Sequence, residues 1–77
     1  MTEHHEILTR ANAVLTEQRA ILQKLWEAES TDFDRQPESW RNSPQSEQAS
    51  QALDELSSII SNLASTIVSF DFLLGLP

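Results

Sequence analysis

The sequence predicts an all-α fold, a two-helix antiparallel hairpin that dimerises into a four-helix bundle. Three observations carry that expectation. Ala49, Leu53, Leu56, Ile60, Leu63, Ile67, Phe70 and Leu74 follow one another at spacings of four and three, which draws one apolar stripe along a single long helix. A second stripe runs through Leu8, Leu15 and Leu22, with Ile7, Val14 and Ile21 beside it at the same seven-residue interval. Finally, one glycine, three prolines and few β-branched residues outside the stripes argue against a sheet.

The first helix is expected over about 3–29. Thr2 suits its N-cap, and Glu3 and Glu6 sit where the helix dipole favours anions. Its apolar positions, Ile7, Leu8, Ala11, Val14, Leu15, Ile21, Leu22, Leu25 and Trp26, make a stripe too broad for a two-stranded seam and suited to a bundle. Trp26 closes that stripe and reads as core. Gln18 falls between Leu15 and Leu22, either setting register inside the stripe or lying at its edge.

An acidic connection is expected over about 30–43, punctuated by Pro37 and Pro44. It is longer than the usual link between antiparallel helices. The second helix is expected over about 44–74, with Ser43 as N-cap and Pro44 at the first helical position. Gly75 suits a left-handed residue ending that helix, with Leu76 folding back toward Phe70.

Seventy-seven residues make a single helical domain, 1–77, with little surface to bury. There is no cysteine, so neither disulfides nor thiolate metal sites can brace it, and pairing with a second chain is the remaining support. The residues expected to carry self-association are Leu53, Leu56, Ile60, Leu63, Ile67, Phe70 and Leu74. Between Glu55 and Asp71 the second helix has no charge, and its other face reads as Ser57, Ser58, Ser61, Asn62, Ser65, Thr66 and Ser69. A face that meets only water usually carries charge. The ridge Ser57, Ser61, Ser65 and Ser69 is therefore either packed against protein or solvated.

Twelve acids against five bases give a net charge of −7, which disfavours direct contact with nucleic acid or an anionic membrane. Leu56–Leu74 has the length of a membrane span but is interrupted by seven Ser, Thr and Asn residues. No secretory leader is expected, since the first six residues carry two acids and no basic segment. The expected localisation is cytoplasmic.

No constellation points to catalysis. His4 and His5 are adjacent and diverge by about 100° on a helix. Thr2-Glu3-His4 would form a square-planar copper or nickel site if Met1 were removed, but three residues arise often by chance. Asp32 and Asp34 lack the remaining ligands of a calcium loop, and no histidine is placed to activate a serine. No metal, no cofactor and no enzymatic activity are expected.

The aromatics are the better functional candidates. Trp40 lies outside either stripe, beside Arg41, in the manner of an interface hot spot; alternatively it caps the bundle by packing on Trp26 or Phe33. The expected partner-binding residues are Asp32, Phe33, Asp34, Glu38, Trp40 and Arg41, in an acidic segment able to steer a basic patch. The function expected is a non-catalytic module that binds a protein and inhibits or masks it, as virus- and plasmid-encoded inhibitors and anti-activators do. The alternatives are an acidic nucleic-acid mimic and a structural subunit or secretion-chaperone-like protein.

Overall fold

The computed structural model describes residues 2–76, apart from the side chain of Thr2. The protein is all-α. Three helices follow in order, α1 (Thr2–Asp34), α2 (Glu38–Arg41) and α3 (Pro44–Leu74), and no strand occurs among the described residues. The two long helices lie against each other in a rod of 59 × 14 × 13 Å. Its radius of gyration is 17.5 Å. A spherical domain of this length would have about 11 Å.

α1 begins at Thr2, so the expected capping role of that side chain falls outside the described residues. The helix also runs on to Asp34, well past its expected end near residue 29. Phe33 explains the extension: it stands seven residues after Trp26 on the same face, and both are half-buried. Continuing the helix keeps Phe33 against α3. Thr31, a residue that often starts turns, instead donates its hydroxyl back to the Glu27 carbonyl at 2.9 Å. The end tightens when Arg35 N donates to the carbonyls of Thr31 and Asp32 at 3.1 and 3.2 Å.

The expected acidic loop over about 30–43 is therefore mostly helical. Pro37 stops continuation because it has no N–H, and its carbonyl accepts from Trp40 N at 3.0 Å and Arg41 N at 3.1 Å to start the single turn of α2. Ser43 then caps α3, its Oγ accepting from Ser46 N at 3.4 Å, with Pro44 at the first helical position. Ser46 is buried; its hydroxyl lies 2.6 Å from the Arg41 carbonyl and 2.8 Å from that of Ser43. A serine in this corner ties the end of α2 to the start of α3.

The C-terminal end departs from the expected left-handed cap. Gly75 has φ −82° and ψ −7°, in the right-handed region, and its N–H reaches the carbonyls of Asp71 and Phe72 at 3.0 and 3.2 Å. The last turn winds tighter and satisfies its carbonyls without a reversal. Leu76 stays exposed and does not fold back.

The stripe from Ala49 to Leu74 is half-buried throughout, with Ile60 buried at its centre. On α1 the matching face is Leu8, Ala11, Leu15, Leu22, Trp26 and Phe33. Gln18 is exposed and so lies at the stripe's edge; Arg19, also exposed, lines the groove beside Trp26. Far from the connection, Asn12 Nδ2 donates to Asp71 Oδ1 at 2.8 Å and fixes the register of the two long helices.

Candidate protein-binding surfaces

At the connection end, an open groove of about 370 Å3 runs between α1 and α3. Leu25, Phe33, Trp40, Ala52, Leu53 and Leu56 form its apolar walls, and Glu29, Asp32 and Gln36 its rim. α2 brings Trp40 to this place. Its ring meets Phe33 edge-on, with centroids 5.5 Å apart and planes at 76°, the arrangement aromatic quadrupoles favour. Trp40 is half-buried, packed on Phe33 on one side and open to the groove on the other.

Of the six residues expected to bind a partner, Asp32, Phe33 and Trp40 come together in this groove. Asp34, Glu38 and Arg41 are exposed beside it and do not line it. The Arg41 guanidinium donates to the backbone carbonyl of Asp34, tying α2 back to the end of α1. Leu25 and Ala49, expected only as stripe positions, and Ala52, which stood in neither stripe, also line the groove. Their signal was position alone, since each stands within a turn or two of an expected one.

The residues expected to carry self-association lie along the face of α3 that meets α1. Leu53 and Leu56 share the groove with Phe33, and Ile60 shares a second groove with Trp26. Packing inside the chain already uses these side chains, but only Ile60, at 7% exposure, is closed off by it.

A different apolar set is left open. Ile7, Val14, Ile21 and Leu25 are exposed on α1; Ile59, Val68, Phe72 and Leu73 are exposed on α3. Ile7, Val14 and Ile21 are the second seven-residue line beside Leu8, Leu15 and Leu22. On α3, Ile59 and Val68 stand among the residues taken for a wholly polar face, so that face is mixed.

The second groove, about 290 Å3, lies on the opposite side of the seam between Arg19, Gln23, Ser57 and Ser61. Trp26 Nε1 is buried beside it with no hydrogen-bond acceptor. The ridge Ser57, Ser61, Ser65 and Ser69 is exposed along its length, and Ser69 returns its hydroxyl to the Ser65 carbonyl at 3.2 Å.

His4 and His5 are exposed on α1, and among the described residues no three histidine or carboxylate side chains converge as metal ligands. Met1 lies outside the described residues, and with it the arrangement that a Thr2-Glu3-His4 terminus would need. By length and composition α3 is apolar enough to cross a membrane, a property shared by helices that pack in soluble proteins. Comparison of the chain with family models, with characterised proteins and with solved structures finds no match.

Proposed function

We propose that the chain is a non-catalytic protein–protein interaction module, a helical hairpin that dimerises into a four-helix bundle and binds a second protein, which it inhibits or masks. The observation that carries this reading is the thinness of the interior. Among the described residues, two helices of 33 and 31 residues close off a single apolar side chain, Ile60. Hydrophobic burial is the main favourable term in folding, and an interior this small supplies little of it. A second copy provides the missing cover.

The groove at Phe33 and Trp40 is the proposed seat of the partner protein. Apolar walls give it affinity and the acids at its rim suit a basic neighbour. The reading keeps the assembly in the cytoplasm; Asp71 within α3, held by Asn12, argues for an aqueous rather than a lipid neighbour.

A structural subunit is the second reading. It is favoured by Val68 and Phe72, which at 67% and 69% exposure are among the most open apolar residues and stand on another flank of α3. A third protein covering them would make the chain a component rather than an inhibitor.

Sedimentation equilibrium tests the self-association. The expected mass is twice the 8.7 kDa of the chain, and Ile60→Asp should abolish both dimer and helix signal by placing a charge in the closed centre. A folded monomer at high micromolar concentration overturns the reading. Sedimentation of the chain with membranes after alkaline extraction would overturn the cytoplasmic assignment.

A further inference from the structure

Most of the exposed apolar residues of the long helices, Val68 and Phe72 excepted, fall on one side of the pair. Leu25 of α1 and Ala52 of α3 line the same groove, whereas Arg19, Gln23, Ser57 and Ser61 line the groove on the other side. Ile21 precedes Leu25 by four, and Val14 and Ile7 precede Ile21 by seven and fourteen, so all share its side of α1. On α3 the line Ala52, Ile59, Thr66 and Leu73, again at intervals of seven, continues on the groove side. Val68 and Phe72 are not part of this surface.

Apart from Leu25 and Ala52, these two lines are symmetric about one level of the rod. The Asn12–Asp71 bond sets the register. Six residues on from Asn12 stands Gln18, and five back from Asp71 stands Thr66, within about 1.5 Å of the same height. Around the midpoint between Glu17 and Gln18, Val14 mirrors Ile21 and Ile7 mirrors Ala28; around Thr66, Ile59 mirrors Leu73. The polar residues sit at the centre and the apolar ones at equal distances from it.

We infer that a second copy of this chain docks face to face on this side, with a two-fold axis passing at Gln18 and Thr66 across the helices. This rests on the self-association proposed above and specifies its surface and direction. α1 then lies antiparallel on the partner's α1, and α3 on the partner's α3, and the paired positions end at Ala28 and Ile59, short of the Phe33–Trp40 end of the groove. Val14 meets Ile21, Ile7 meets Ala28 and Ile59 meets Leu73 across the interface. Gln18 meets its own copy, and a carboxamide, with both donor and acceptor, can pair with itself. The alternative two-fold axis, along the rod, would bring the acidic ends around Glu29, Asp32, Asp34 and Glu38 together. The antiparallel arrangement holds them at opposite ends of a 59 Å rod, far beyond the roughly 8 Å reach of charge at physiological salt.

The area agrees. The chain exposes 6055 Å2. A compact monomer of its mass exposes about 4,700 Å2. Burying the excess, about 1,300 Å2 per chain, gives about 2,600 Å2 in all, within the range of obligate homodimers.

Cysteine cross-linking tests the arrangement cleanly because the chain has none of its own. Gln18→Cys and Thr66→Cys are each oxidised alone, and Val14→Cys is mixed with Ile21→Cys. Ser61→Cys serves as the control on the opposite side. Helix content is checked for each variant, and sedimentation gives the mass before oxidation. The expected result is at least about tenfold more disulfide-linked dimer at Gln18, at Thr66 and in the mixture than at Ser61, since the bond needs Cα atoms within about 7 Å. Cross-linking of Leu25→Cys with Ile59→Cys between chains, without Gln18, would show the parallel arrangement and overturn the inference. So would preferential linking at Ser61, or a dimer by mass that none of these positions traps. A monomer by mass would sink the underlying self-association instead.

Discussion

Asn12 and Asp71 join the two long helices at the end away from the connection, the Asn12 amide nitrogen donating to the Asp71 carboxylate at 2.8 Å. Fifty-nine residues separate them in sequence. The Oδ1 of Asn12 is buried and has no donor. The pair therefore acts as a register pin more than as a source of burial. Asp71→Ala is expected to lower stability by about 1 kcal/mol, the usual net worth of one hydrogen bond. A double-mutant cycle with Asn12→Ala in urea should return a coupling energy of the same size. Additive effects would show that the bond contributes nothing in solution.

The corner between α2 and α3 should be sensitive to a single oxygen. Ser46 is buried and its hydroxyl lies within donating reach of the Arg41 and Ser43 carbonyls, while Ser43 caps the helix. Ser43→Ala is expected to cost about 1 kcal/mol, and Ser46→Ala about 1–3 kcal/mol because it removes a buried hydroxyl that donates at the corner. Thermal unfolding followed by circular dichroism measures both. Equal melting of Ser46→Ala and wild type would mean that water replaces the hydroxyl.

Trp40 is expected to affect binding more than folding. Trp40→Ala removes one edge-to-face contact with Phe33, worth about 1 kcal/mol in stability. In partner affinity it should cost about 2 kcal/mol or more, roughly thirtyfold, as a truncated hot-spot aromatic does. The test compares melting with capture of a partner identified using the wild-type chain. A melting loss that far exceeds the binding loss would assign Trp40 to the interior.

Association with that partner is expected to slow as salt rises. Asp32, Asp34 and Glu38 are exposed at one end, and exposed charges act chiefly on the approach of two molecules. Neutralising all three should lower the on-rate several-fold and leave the off-rate nearly unchanged. Surface plasmon resonance at two ionic strengths reads both rates. Indifference to salt and to the three changes would move the contact to the exposed serine ridge.

The long helices were legible because burial repeats at the helical period. Leu53, Leu56, Ile60, Leu63, Ile67, Phe70 and Leu74 stand on the face that period selects, and α3 starts where Ser43 and Pro44 signal a start. The extension of α1 through Phe33 was not legible from propensity. Ser30, Thr31 and Asp32 favour turns locally, and only the burial of Phe33 against α3 overrides them. Gly75 misled for a related reason: glycine permits a left-handed cap but does not require one. At the groove, Asp32, Phe33 and Trp40 were found as the aromatic and acidic residues of one segment. Leu25 and Ala52 come from both long helices, and their meeting depends on a register that one hydrogen bond far down the rod sets.

That Ile60 is the one buried apolar side chain among the described residues has a consequence for how the protein persists in a cell. Where folding waits on a second copy, the folded fraction depends on abundance, and the apparent melting temperature climbs as the chain is diluted less. Newly made, scarce molecules would spend much of their time open to proteases; past a threshold of synthesis, pairing would outrun degradation. The same thin interior would then act as a dose gate, letting the protein accumulate only when it is produced in bulk.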